Sequence, residues 1–239
     1  MASKNKKNSK LAIIFYGSPG SGKGTQAKLL ADKLGLYHFD TGDFLRKILN
    51  NPVLTKNKEI IKERKLNRSG KLNSPSWVLK IISKQAETIS KLGQSIVFSG
   101  SPRTQYEAFG VDPAGKYKPT AGLLKILEKE YGKRNIFIFD LEIPESETVK
   151  RNSKRTTCTV CKAALMAEFS SVKKCPFCGA PVEHRIDDDK NIITERLKEY
   201  HNRTFPIIAE ARKRKYNIIK IDGTPPPFEI HKKIISYFS

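Results

Sequence analysis

The architecture turns on residues 11–35, LAIIFYGSPGSGKGTQAKLLADKLG. Residues 11–16 are an unbroken apolar run without alternation, the pattern of a strand buried on both faces of a parallel sheet. From Gly22 onward Ala27, Leu30, Ala31 and Leu34 fall on one side of a helix, and Gly35 is its stop signal. Between strand and helix lies Gly-x4-Gly-Lys, residues 17–23, a loop that turns backbone N–H groups and a helix N-terminus toward an anion. Gly20, Ser21, Gly22, Lys23, Gly24 and Thr25 are therefore candidate phosphate ligands, with Lys23 bringing the charge. Gly24 occupies the place of the usual Ser or Thr whose hydroxyl ligates magnesium; Thr25 comes one residue later.

Beyond this unit, short apolar runs recur at residues 37–39, 95–98, 136–141 and 217–221, separated by helical patterns. Ser74-Pro75 reads as a cap and first turn, and Trp77, Val78, Ile81, Ile82, Ile89 and Leu92 continue it to Gly93. Asp43 reads as a candidate cap for a helix over residues 44–49. Strand and helix in alternation predict an α/β fold: a five-stranded parallel sheet flanked by helices. Residues 156–184 break the rhythm and read as an inserted unit, and the helical pattern at 190–215 should kink or break at Pro206.

The chain has 239 residues and a formal net charge of +21, room for one sizeable core. Its lysines are scattered and do not form one stripe interleaved with aromatics, which argues against a nucleic-acid-binding protein. The basic residues 1–10 read as a solvated flexible tail. No apolar run is long enough to span a bilayer and no apolar leader follows the polar start, so a soluble cytoplasmic protein is expected. All four cysteines, Cys158, Cys161, Cys175 and Cys178, lie in one short interval as two Cys-x2-Cys pairs. A disulfide framework would spread its bridges through the fold, so paired knuckles imply a metal site.

GSPGSGKGTQ followed by TGDFLR at residues 41–46 resembles the adenylate kinase family of nucleoside monophosphate kinases. SPRT (101–104), RNSKR (151–155), HRIDD (184–188), ERLKEYHNRTFPII (195–208) and IDGTPPP (221–227) continue the resemblance in order, so that it covers roughly residues 10–238. The resemblance implies a P-loop kinase core over residues 11–239, a monophosphate-binding arm over 41–74 and a mobile lid over 156–184 in which the cysteines hold a structural zinc. Four protein ligands leave that metal no open position for catalysis. It also implies ATP, carried with magnesium, as donor and AMP as acceptor, with direct in-line transfer in a monomer. Lys23, Arg151, Arg155 and Pro225 would serve ATP; Thr41, Arg46, Lys71, Leu72, Asn73, Gly100, Ser101, Pro102, Arg103 and Glu107 would serve AMP. Arg185 and Arg196 would stand between the two nucleotides, and Asp187 and Asp188 would anchor the lid or lie near metal-bound water. Asp189 reads as an ordinary charge at a helix start, and His184 and His201 read as incidental, since neither has a partner motif.

Two departures from the family pattern matter. Ser99 and Ser101 replace the Asp and Phe of its Asp-Gly-Phe-Pro-Arg segment, so a carboxylate near the magnesium is missing and a magnesium-weakened kinase or a nucleotide-binding pseudoenzyme are both readings. Glu107 replaces a Gln that reads adenine; an ionised carboxylate only accepts hydrogen bonds, which suits the two adjacent donors of guanine. AMP remains the expected acceptor, with Gln105 within one residue's shift, and GMP is the alternative.

Overall fold

The computed structural model describes residues 10–161, 163–165, 172–184 and 190–238. Strand β1 (Ala12–Gly17) is buried at every residue and runs into the glycine loop, from which helix α1 (Lys23–Leu34) departs. Gly35 ends α1 with a left-handed φ of 65° and returns its N–H to the Ala31 carbonyl. Strand β2 (Tyr37–Asp40) passes directly into α2 (Thr41–Leu49). The expected cap is corrected here: Asp40, not Asp43, caps α2, accepting the Asp43 N–H at 2.9 Å. Because no loop separates strand from helix, α2 starts before its apolar periodicity does, and Asp43 sits inside the first turn, paired with Lys47 at 2.8 Å.

Helices α3 (Lys58–Arg68) and α4 (Pro75–Lys91) lead to β3 (Ile96–Ser99) and the short α5 (Gln105–Phe109). Ser74 and Pro75 begin α4 as expected, but the Ser74 hydroxyl makes no capping bond; its N–H donates to Glu63 Oε2 at 2.8 Å. Next come α6 (Leu123–Tyr131), β4 (Ile136–Glu142) and α7 (Glu145–Ser153). Strands β5 (Thr156–Cys158), β6 (Ala164–Leu165) and β7 (Val182–His184) make a separate antiparallel sheet in the order β6-β5-β7. Helix α8 (Lys190–Glu199) passes through a π-helical turn, Tyr200–Thr204, into α9 (Phe205–Lys213); β8 (Asn217–Asp222) and α10 (Pro227–Ile235) close the described chain. The break expected at Pro206 therefore falls in the turn just before it, where the proline's missing N–H leaves the regular ladder incomplete.

The main sheet has five strands in the order β2-β3-β1-β4-β8, every pair parallel. One face packs Ile14, Phe98 and Ile138 against α4, α6 and α9; the other packs Phe15, Val97 and Phe139 against α1 and α10. With both faces covered, the strands read as continuous apolar runs, which is why the sheet is legible without alternation. From β1 the chain moves to β2 and β3 on one side and to β4 and β8 on the other. Ligands bind beyond the carboxyl ends of the strands at such a switch point. Among the described residues no helix is long and apolar enough to cross a membrane.

Candidate active site

The carboxyl end of β1 opens into the glycine loop, where Gly20 and Gly22 hold φ of 81° and 92°. A Cβ on Gly20 would lie 2.7 Å from Asn152 Nδ2, so the loop's close approach to α7 also requires glycine there. Ser18 Oγ and Thr148 Oγ1, 2.9 Å apart, tie the loop to the same helix. Lys23 folds over the loop and donates to the carbonyls of Gly17 and Ser18 at 2.7 Å each and to Ser21 Oγ at 3.3 Å. Loss of solvent, followed by the guanidinium groups of Arg103, Arg196 and Arg155, holds its ammonium well below the ordinary lysine range. Three arginines from three separate segments thus add to the positive field at one lysine, a concentration of charge suited to a polyanion.

Arg103 follows the cis Ser101–Pro102 peptide and donates from Nε to the Gly100 carbonyl at 2.6 Å. Arg151 is turned elsewhere: its Nη1 and Nη2 donate to the carbonyls of Gly223 and Thr224 at 2.8 and 2.9 Å, beside Pro225. Arg46 lies on α2 with Nη2 4.0 Å from Asp43 Oδ1. Thr41 is buried at the start of the same helix. Lys71 is exposed and Leu72 half-buried, while Asn73 is buried and donates to both Glu63 O and Glu63 Oε2, at 2.8 and 2.9 Å. Sequence reasoning missed Glu63, a carboxylate 1% exposed that also takes the Ser74 N–H. Its only signal was a Glu on the apolar side of α3 beside Ile60. Arg185, Asp187, Asp188 and Asp189 lie outside the described residues, as do residues 1–9 of the basic tail.

Ser99 ends β3, 4% exposed, and its hydroxyl lies 2.8 Å from His38 Nε2. Burial, the largest influence, lowers the His38 imidazole from the ordinary histidine value, which favours its neutral form. The Ser99 position thus carries a hydroxyl bonded to an imidazole and no carboxylate. Glu107 is 2% exposed, with Oε2 accepting the Arg103 N–H at 2.8 Å and Oε1 accepting the Thr104 hydroxyl at 3.1 Å. His201, expected to be incidental, pairs with Glu145 Oε1 at 2.9 Å, joining the π turn to the start of α7.

Asp140, at the end of β4, is another group that the sequence hid inside an apolar run. It is 1% exposed and its Oδ1 has no hydrogen-bond partner among the described residues. Burial, then Glu142, raise its carboxyl from 3.8 to about 6, against the pull of Lys220, Arg212 and Lys23. That rise corresponds to about 3 kcal/mol of unfavourable ionisation in the folded state. Between about pH 4 and 6 the folded chain holds this proton more tightly than the unfolded chain, so the group's contribution to stability falls as pH rises through that window. Asp140→Asn is accordingly expected to stabilise the protein by about 1–3 kcal/mol at pH 8 and by much less at pH 4, read by urea denaturation. An equal gain at both pH values would sink this account.

The four cysteine Sγ atoms lie within 4.8 Å of one another, Cys158 to Cys178 at 3.4 Å and Cys161 to Cys175 at 3.6 Å. Tetrahedral thiolate bonds of about 2.3 Å to zinc place neighbouring sulfurs about 3.8 Å apart, so the donor set fits the ion. The N–H groups of Val160 and Cys161 point at Cys158 Sγ from 3.4 and 3.3 Å, which favours the thiolate a metal needs.

A glycine loop between a buried strand and a helix, with a lysine and converging arginines at the switch point of a parallel sheet, defines a P-loop nucleotide-binding protein suited to phosphoryl transfer. The family model described as "Adenylate kinase" matches residues 15–216. Similar proteins include the adenylate kinase of Pelobacter propionicus, 32% identical over 227 residues, or 93% of this chain and 94% of that protein. The adenylate kinase of Petrotoga mobilis is 30% identical over 230 residues, covering 95% of this chain and 96% of that one. That of Archaeoglobus fulgidus is 30% identical over 226 residues, 93% and 95% of the two chains. The chain belongs to the adenylate kinase family, and it is a nucleoside monophosphate kinase.

Proposed function

We propose that the chain transfers the terminal phosphoryl group of ATP reversibly to AMP, giving two ADP, as a cytoplasmic monomer. The observation that carries this reading is Lys23 folded over the glycine loop, donating to the carbonyls of Gly17 and Ser18 at 2.7 Å each, in the positive field of Arg103, Arg196 and Arg155. Two polyphosphorylated substrates repel one another, and a direct transfer needs that repulsion neutralised in a site that excludes water. In this reading the loop N–H groups of Gly20 to Thr25 and Lys23 cradle the donor phosphates, Arg155 joins them, and Arg151 lies with Pro225 at the donor end. Arg46 and Arg103 take the acceptor phosphate, Thr41 and residues 71–73 line its nucleoside with Gly100, Ser101 and Pro102, and Arg196 with Arg185 stands between the two. Residues 41–74 form the monophosphate arm, and residues 156–184 form the lid. Zinc held by Cys158, Cys161, Cys175 and Cys178 would tie the lid together and supply no chemistry to the transfer.

Magnesium is expected with ATP, where it would neutralise charge on the phosphate oxygens. The chain's own contribution to it is small, since Ser99 offers a hydroxyl shared with His38 and no charge. Ser99→Asp is expected to lower the magnesium concentration for half-maximal rate by about tenfold, and an unchanged requirement would count against this role. The test of the reaction is ADP production with ATP as donor and AMP, GMP, CMP and UMP as acceptors. AMP is expected to give the highest kcat/KM. The guanine alternative depends on a free Glu107 carboxylate, whereas both Glu107 oxygens are engaged within its own loop.

A further inference from the structure

The Arg103 peptide is gripped on both sides. Its N–H donates to Glu107 Oε2 at 2.8 Å, and its carbonyl accepts the Thr204 hydroxyl at 2.9 Å from the π turn. Glu107 is locked in turn: its N–H donates to Thr104 Oγ1 at 3.1 Å while its Oε1 accepts the Thr104 hydroxyl at 3.1 Å, a reciprocal arrangement at the start of α5. Both carboxylate oxygens therefore accept hydrogen bonds from the segment that presents Arg103, and at 2% exposure almost none of the side chain is open to a ligand. A base reader needs an edge open to its ligand, and burial leaves Glu107 almost none.

We propose that Glu107 is a positioning residue: its carboxylate fixes the Arg103 peptide, and through it the guanidinium, without touching the acceptor base. The proposal rests on the reading of Arg103 as a ligand of the acceptor phosphate. A glutamine at this position could accept only one of the two bonds that the carboxylate accepts. The groups facing Glu107 are Arg103 on its own loop, Arg203 on the π turn and the buried Tyr16 of β1, whose own neighbours include Asp140 of β4. Burial, the largest influence, raises the Glu107 carboxyl to about 7 against the bonds from Arg103 and Thr104 and the charges of Arg103 and Arg203. The grip is complete when Glu107 is ionised and weakens as pH falls through about 7.

The experiment compares wild type, Glu107→Gln and Glu107→Ala, with thermal melting to confirm that each variant folds. In the free protein the Arg103 backbone amide shift, read by 1H–15N correlation, is expected to titrate near pH 7 in wild type and to stay flat in Glu107→Gln. With AMP, GMP and CMP as acceptors, Glu107→Ala is expected to lower every kcat/KM about 10- to 100-fold, leaving their ratios within about twofold of wild type. The ratio of wild-type to Glu107→Gln kcat/KM for AMP, which cancels the substrate's own titration, is expected to rise with pH through the same window. A tenfold change in selectivity among bases would overturn the proposal, as would an Arg103 amide that ignores pH or titrates identically in Glu107→Gln. If wild type phosphorylates no acceptor, the functional reading fails, and the amide titration still decides the role of Glu107. Should Glu107→Ala not fold, that titration and the Glu107→Gln profile decide it.

Discussion

Replacing Lys23 by methionine is expected to lower kcat/KM for ATP and AMP by about 100- to 1000-fold, the loss of about 3–4 kcal/mol that a preorganised electrostatic donor supplies. Methionine keeps the length of the side chain and removes its charge. The lysine bonds two carbonyls of its own loop, so its ammonium is already aimed where donor phosphates would lie. Stability should move little or rise slightly, because burial and the positive field of Arg103, Arg196 and Arg155 both disfavour the ammonium that the substitution removes. Kinetics and thermal melting together make the test decisive. A lost activity with a retained melting temperature supports the role, while a collapse of both would assign Lys23 to folding instead.

Removing metal from the four-cysteine site is the second large effect expected. The sheet β6-β5-β7 has strands of only two or three residues, with Cys158 and Cys175 among the few buried residues near it that are described. The described part of this unit has too little apolar surface to fold alone, and in zinc-finger peptides a structural zinc contributes about 10–16 kcal/mol. Chelation, or Cys158→Ser with Cys175→Ser, should abolish amide protection in β5, β6 and β7 and lower activity at least about tenfold, since the arginines flanking this unit lose their orientation. Protection at β1 and β4 should remain, because the main sheet is buried on both faces without it. Release of one equivalent of zinc per chain should accompany the loss. Full protection in metal-free protein would show that the unit holds itself together.

Much of the site is legible in the sequence because its chemistry is local. The Gly-x4-Gly-Lys loop places backbone donors by its own turns, and the paired Cys-x2-Cys knuckles bring four sulfurs together with little help from elsewhere. The five strands are equally plain, since burial on both faces writes itself as unbroken apolar runs. Capping is less legible. Asp40 and Asp43 are both plausible caps by residue type, and the direct passage of β2 into α2 selects Asp40.

The order of residues alone therefore settles the class: the succession of strands and helices, the anion loop, the four-cysteine cluster and the family. How individual polar groups are used is settled by packing in three dimensions. Glu63 grips Asn73 across ten residues of chain, His38 meets Ser99 across two strands, Asp140 is buried with one oxygen lacking a hydrogen-bond partner among the described residues, and Glu107 turns into its own loop. Each of these depends on burial and on the partners that the fold delivers. A carboxylate in water and a carboxylate held between an amide and a hydroxyl are the same letter, and only the packing around them sets their charge and their task.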